Sequence, residues 1–306
     1  MLKSRLLIVF LRLLALLPLG LARQFGRLLG RLSWALSTRM SRVSITNIRL
    51  CLPELTPARQ RALAKKSVQE TFATMAEGGA VWLWPAQKIL AKIHRLEGFD
   101  LLKAAYGQNR GVIVIGPHLG NWELVGLYLN TCGLGQTLQL FQAPRDPVLA
   151  RLLSDARSRS GAQMVPTDNR GVGSLLTALR AGQVVGILPD QVPPESGGEY
   201  APFFSVPALT MTLLPRLLRK TGARAIMVYA KRVRSKQGHG FEIIFREPDP
   251  RIYEPDLATS LAGLNSSVEV LAREAPEQYQ WEYKRFKRQP AGRPNPYRQV
   301  SRESLE

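Results

Sequence analysis

The 306-residue chain is 45% hydrophobic and 21% charged, the balance of a globular protein and not of a disordered or collagen-like one. Its 42 Lys and Arg against 23 Asp and Glu leave a net charge of +19, a field that attracts polyanions: nucleic acid, an anionic membrane surface or an acidic carrier protein. The two cysteines, Cys51 and Cys132, lie far apart with no partner at metal-ligand spacing, which excludes a disulfide framework or zinc cluster and points to a reducing compartment.

The basic residues from Lys3 to Arg49 all precede the first acid, Glu54, in a Leu-rich stretch, and basic plus apolar character points to a membrane surface. Leu6 to Ala22 is apolar except for Arg12; as a helix it reaches about 25 Å, marginal for a full span. Arg23-Gln24-Phe25-Gly26-Arg27 follows without a small-x-small cleavage pattern, so residues 1–31 are expected to be a retained anchoring helix and not a signal peptide. A buried core helix is the competing reading. The basic excess after the segment places the rest of the chain in the cytoplasm.

From Thr56-Pro57 to about Trp84 the pattern is helical, with Pro57 at a first-turn position. Two β-branched runs then stand out: Gly111 to Ile115, ending in Gly116-Pro117, and Gln183 to Leu188, ending in Pro189-Asp190. Both read as buried strands. Helices are expected near Pro147 to Ser160, Val172 to Ala181 and Ala208 to Thr221, and further strands at Thr137 to Phe141, Ala225 to Ala230 and Phe241 to Phe245. This alternation predicts an α/β fold, a central mixed sheet flanked by helices, spanning residues 32–290 and followed by a polar tail at 291–306.

Gly116-Pro117-His118-Leu119-Gly120-Asn121-Trp122-Glu123 falls where a strand gives way to a helix, the place where open α/β sheets build sites. His118 and Glu123 are five apart and diverge on a regular helix, so a turn built by Gly116, Pro117 and Gly120 must bring them together, with Glu123 in the first helical turn. An imidazole can then take a proton from an attacking hydroxyl while a carboxylate fixes its tautomer. A structural His beside Trp122 is the bland alternative. The other two histidines are less promising: His94 lies in a helical pattern and His239 in a loop.

His118 through Glu123 resembles the His-x4-acid motif of the glycerolipid and lipid A acyltransferases. Other blocks resemble the lauroyl and myristoyl transferase family that acts late in lipid A biosynthesis: Asn47 to Leu55, Pro189-Asp190-Gln191 with Ala201-Pro202-Phe203-Phe204, and Pro276 to Lys287. Together they cover nearly the whole chain. The resemblance implies acyl transfer from acyl carrier protein to the hydroxyl of a hydroxyacyl chain on a lipid A precursor, with no metal or cofactor. His118 would be the base, Glu123 its orienting acid, and backbone N–H groups around Gly120 and Asn121 the donors to the oxyanion. Arg157 and Arg159 match a position where an arginine helps form the site, suited to phosphate through paired donors. Asp190 would pair with one of them, and Arg145 is a weaker basic candidate. The loop from Val192 to Gly198 departs from the family pattern.

The C-terminal cluster Tyr279, Trp281, Tyr283, Lys284, Arg285, Phe286, Lys287 and Arg288 admits stacking on nucleic acid, a membrane-interface belt or core packing. Nucleic acid ranks last, because no recognised module accompanies the charge. No phosphate-binding loop, nucleophile elbow or zinc-protease helix is present in the sequence. The expected partners are acyl carrier protein, a lipid A precursor and the anionic inner membrane. Two other readings are an acyltransferase for a glycerophosphate or amino-lipid acceptor and a non-enzymatic basic membrane-binding protein.

Overall fold

The computed structural model describes residues 2–140, 146–158 and 161–298. Four helices come first: α1 (Leu2–Leu16), α2 (Leu19–Ala35), α3 (Arg39–Cys51) and α4 (Pro57–Leu83). The stretch expected to form one anchoring helix is broken between α1 and α2. The break falls at Leu17-Pro18, where proline lacks the N–H that would continue the ladder and disfavours helical geometry in the residue before it. No helix among the described residues is long and apolar enough to cross a membrane. On α2 the small residues Ala22, Gly26, Gly30 and Ser33 are buried, a helical stripe that lets the helix lie close along α4. The opposite stripe, Leu21, Phe25, Leu28 and Leu32, is exposed. α4 opens as its sequence predicts, with the Thr56 side chain accepting from Arg59 N and Pro57 in the first turn.

The chain then alternates: α5 (Ala86–Leu90), β1 (Ile93–Glu97), α6 (Phe99–Gly107), β2 (Val112–Ile115), α7 (Trp122–Leu129), β3 (Thr137–Leu140), α8 (Pro147–Ser158), β4 (Gln163–Val165), α9 (Asn169–Arg180) and β5 (Val184–Ile187). A separate antiparallel hairpin follows, β6 (Gly198–Phe203) and β7 (Val206–Met211). The rest comprises α10 (Leu213–Thr221), β8 (Arg224–Ser235), β9 (Gly238–Arg246) and α11 (Leu257–Glu274). The main sheet has the order β1-β9-β8-β2-β5-β3-β4. Its pairs are parallel except β8 with β9, which makes it the mixed sheet flanked by helices that the sequence predicts.

Side chains alternate across β2. Val112 and Val114 join one core with Leu124 and Leu127 of α7, while Ile113 and Ile115 join the other with Leu175 and Leu179 of α9 and Leu217 of α10. Cover on both faces explains why the central strands read as unbroken apolar runs.

Three local readings give way to pairing partners distant in sequence. Ala208 to Met211, read as the start of a helix, belong to β7, because they pair with Gly198 to Ala201 in the hairpin; only Leu213 onward is helical. His94, read within a helical pattern, lies in β1, and His239, read in a loop, lies in β9 opposite Arg234 of β8. In each case ladder hydrogen bonds outweigh a weak local preference.

The aromatic C-terminal cluster packs into the core. Trp281 is 2% exposed and Phe286 is fully buried, and Arg285, also buried, donates to the Leu209 carbonyl and to Thr210 Oγ1. Of the three readings for this cluster, packing is the one observed for these residues. Within the polar tail Tyr297 is buried, its hydroxyl accepting from Phe286 N and donating to Asn47 Oδ1.

Candidate active site

β2 and β5 are neighbours in register, Ile115 opposite Ile187, so the loops leaving their carboxyl ends emerge side by side. One loop carries His118 and the other Asp190. His118 N donates to Asp190 Oδ2 at 2.9 Å, and the ring Nδ1 lies 2.7 Å from Asp190 Oδ1. A carboxylate only accepts, so the proton of a neutral imidazole sits on Nδ1 and leaves Nε2 as an acceptor. Gln191 supplies its amide at 3.1 Å from Nε2. Trp122 meets the imidazole edge to face, with centroids 4.9 Å apart. Burial alone would push the Asp190 carboxyl up, but the His118 charge and the hydrogen bonds from its ring and backbone outweigh burial and hold it below its ordinary value.

The orienting carboxylate of His118 is therefore Asp190, where the sequence motif suggested Glu123. The reason is geometric. Glu123 sits in the first turn of α7, and both its oxygens bind the Arg157 guanidinium, Oε2 accepting from Nε at 3.0 Å and Oε1 from the terminal nitrogen. This also corrects the expected pairing of Asp190 with an arginine, since the arginine beside the site is taken by Glu123. Arg159 and Arg145 lie outside the described residues.

Gly120 and Asn121 do not present their backbone N–H groups to a ligand. Gly120 N donates to the Gln278 carbonyl at 3.0 Å and Asn121 N to the Ala230 carbonyl at 2.9 Å. Gly120 is required for the path of the loop: its φ is +63°, and a Cβ there would overlap the Ala230 carbonyl oxygen. The loop is also strapped from the other side, where Gln280 N donates to the His118 carbonyl at 3.0 Å. That C-terminal segment is held in turn by Asn47 of α3, whose amide donates to the carbonyls of Trp281 and Tyr283. Two sequence blocks more than two hundred residues apart thus meet to hold the His118 loop.

Beneath the loop lies a polar cluster missed by sequence reasoning. Asn121 caps α7 through Leu124 N at 3.1 Å, and its amide donates to Glu77 Oε2 at 2.7 Å. Glu77 is fully buried and its other oxygen accepts from Arg23 of α2. Arg23, 1% exposed, also donates to the carbonyls of Val233 and Gly240. Next to it Glu70 binds Arg27 at 2.7 Å and Arg232 at 3.0 Å. The signal was periodic: Glu70 and Glu77 are seven apart on α4, and Arg23 and Arg27 four apart on α2, so each pair shares a helix face. Gln191 was visible only as a member of a sequence block.

From His118 a cavity of about 350 Å³ runs between the sheet and α7, within the size range of small-molecule sites. His118, Glu123, Arg157 and Gln191 stand together on its wall, and Val114, Val125, Leu127, Leu153 and Met211 give it an apolar interior. A histidine with a fixed tautomer, a carboxylate-bound guanidinium and an apolar slot thus share one cavity.

The family model for bacterial lipid A biosynthesis acyltransferases matches residues 2–288. The chain belongs to that family. Among its relatives, the lipid A biosynthesis lauroyltransferase of Escherichia coli strain K12 is 27% identical over 283 residues, 92% of this chain and 90% of the relative. The palmitoleoyltransferase of the same strain is 28% identical over 92% of this chain and 90% of its own length, and the myristoyltransferase 26% identical over 88% and 82%. The protein is an acyltransferase of lipid A biosynthesis. In this lipid A acyltransferase the histidine of the His-x4-acid motif is bound to an aspartate from the loop after β5, and the motif's acid to an arginine from α8.

Proposed function

We propose that the enzyme moves a fatty acyl group from an acyl carrier protein thioester to the hydroxyl of a hydroxyacyl chain on a lipid A precursor, with His118 as general base. The observation that carries this reading is the Nε2 of His118, its tautomer fixed by Asp190, on the wall of an apolar cavity. The acceptor hydroxyl takes the place of the Gln191 amide at Nε2 and gives up its proton there as its oxygen attacks the thioester carbonyl. Asp190 stabilises the imidazolium. Collapse of the tetrahedral intermediate breaks the C–S bond, and the proton passes from His118 to the departing thiolate. With the Gly120 and Asn121 N–H groups engaged, the Gln191 amide and the Arg157 guanidinium are the donors assigned to the oxyanion and to substrate phosphate. Glu123 acts by holding Arg157 in place.

The enzyme works at the cytoplasmic face of the inner membrane, with α1 and α2 lying in the interface. Exposed Leu6, Val9, Leu13 and Leu16 of α1 and Leu21, Phe25, Leu28 and Leu32 of α2 support this placement, since an apolar stripe on a basic helix pair suits the headgroup boundary. The deciding experiment is mass spectrometry of lipid A precursor incubated with acyl carrier thioester and either wild type or His118→Ala. The expected result is one added acyl chain in the first case and its loss in the second. Transfer to glycerophosphate or an amino-lipid in place of the lipid A precursor would replace this acceptor assignment, and full turnover by His118→Ala would overturn the mechanism.

A further inference from the structure

Acyl transfer as read above needs the Gln191 amide to face the reacting carbonyl with its nitrogen and not its oxygen. The two ends of an amide have nearly the same shape, one donating and the other accepting, so neighbours must set which end faces in. Two do so. Gln191 Nε2 lies 3.1 Å from His118 Nε2 and donates to Gln280 Oε1 at 3.4 Å. Gln280 starts from a point fixed relative to the base, because its backbone N donates to the His118 carbonyl at 3.0 Å. Its side chain is oriented in turn by Glu282, which accepts from Thr71 Oγ1 at 2.9 Å and from Gln280. A carboxylate only accepts, so Glu282 draws the Gln280 nitrogen and leaves its oxygen to Gln191. The row from Asp190 through His118, Gln191 and Gln280 to Glu282 thus has a carboxylate at each end.

The reaction takes away one of the two neighbours that hold Gln191. The acceptor hydroxyl displaces the amide from His118 Nε2, and once the proton has moved, Nε2 carries a hydrogen and has changed from acceptor to donor. An amide held by His118 alone would then turn its oxygen toward the imidazolium, and the oxyanion would lose its donor. Gln280 Oε1 stays an acceptor throughout. We propose, resting on the acyl-transfer reading above, that Gln280 is a positioning residue whose side-chain carbonyl keeps the Gln191 nitrogen facing the oxyanion while His118 changes from acceptor to donor. One N–H of Gln191 stays on Gln280 and the other is free for the oxyanion.

The test compares three substitutions of Gln280, a partly exposed position, in the full-length enzyme transferring from acyl carrier thioester to lipid A precursor. Gln280→Glu keeps acceptor oxygens, Gln280→Met offers a weak acceptor and Gln280→Lys offers donors alone. Gln280→Glu is expected to keep most of the activity. Gln280→Met should lower kcat about two- to tenfold, the scale of one neutral hydrogen bond. Gln280→Lys should approach Gln191→Leu, for which the loss of an oxyanion donor predicts a fall of about 10²- to 10³-fold. KM should change little, because the contact acts in the transition state. In a Gln191→Leu background Gln280→Met and Gln280→Lys should cost nothing further, since the two residues act as a unit. A packing role would rank the variants by size and persist in that background. Equal kcat in Gln280→Met and Gln280→Lys, or a Gln280 effect that persists beside Gln191→Leu, therefore overturns the proposal while leaving acyl transfer intact. Wild-type kcat in Gln191→Leu removes instead the oxyanion assignment on which the proposal rests.

Discussion

Two polar clusters flank the His118 loop and use the same kinds of residue differently. On the cavity side, His118 pairs with Asp190 and Arg157 with Glu123, and these side chains line an open slot. On the core side, Arg23, Glu77, Glu70 and Arg232 pair in a space where each is at most 5% exposed. The first set can exchange protons and meet a substrate; the second cannot, and its ions gain by holding elements together. The contrast teaches that access, not composition, separates a charged pair open to a solute from one that only holds elements together. Asn121 joins the two, capping the site helix at one end of its amide and binding buried Glu77 at the other.

The largest effect is expected on the cavity side. His118→Ala should lower transfer by about 10²- to 10⁴-fold, the usual contribution of a general base, in an enzyme that circular dichroism shows to be folded. If Asp190 acts through His118, the double variant His118→Ala with Asp190→Asn should be about as slow as His118→Ala alone, because residues acting as a unit are strongly non-additive. Additive losses in single-turnover assays would break the pair as a catalytic unit.

On the core side the effect should appear in stability. Glu77→Leu leaves Arg23 buried without its carboxylate, and removing one partner of a buried pair typically costs about 3–5 kcal/mol. Denaturant unfolding in detergent measures this, and a loss below about 1 kcal/mol would mean that the cluster is not the clamp described above.

A smaller effect separates the clusters by pH. The Asp190 carboxyl is held below its ordinary value of 3.8, so it contributes stability that is present above that pH and lost as pH falls through the folded-state value. The difference in melting temperature between wild type and Asp190→Asn should therefore shrink on going from neutral pH to below about 4. A constant difference across that range would assign Asp190 a packing role only.

The smallest effect calibrates the rest. Arg151 and Asp155 on α8 form a pair at 3.8 Å with side chains 87% and 72% exposed, and Arg151→Ala should change stability by less than about 1 kcal/mol. A larger loss would show that exposure does not sort ion pairs in this molecule as the comparison of the two clusters requires.

The fold class and the position of the site were legible in the chain. Runs such as Val112-Ile113-Val114-Ile115 admit few environments other than a strand covered on both faces, and the glycines and proline around His118 mark a turn at the strand end. Local pattern also named His118 and Glu123, and the family resemblance Arg157 and Asp190, as the polar residues of interest. It did not say which binds which. Spacing on one segment made Glu123 the natural neighbour of His118, whereas the parallel register of β2 and β5 brings Asp190 to the imidazole from 72 residues away. Backbone N–H groups at Gly120 and Asn121 looked available because their acceptors, the Gln278 and Ala230 carbonyls, come from segments far along the chain. The helical break at Pro18 was written in the sequence, but the inward turn of Arg23 was not, since α4, β8 and β9 supply the partners that let a guanidinium leave water. Periodicity and turn chemistry act over a few residues, so the sequence by itself determines elements and their faces. Partner choice among charged groups is decided by strand register and helix packing, which exist only once the chain has folded.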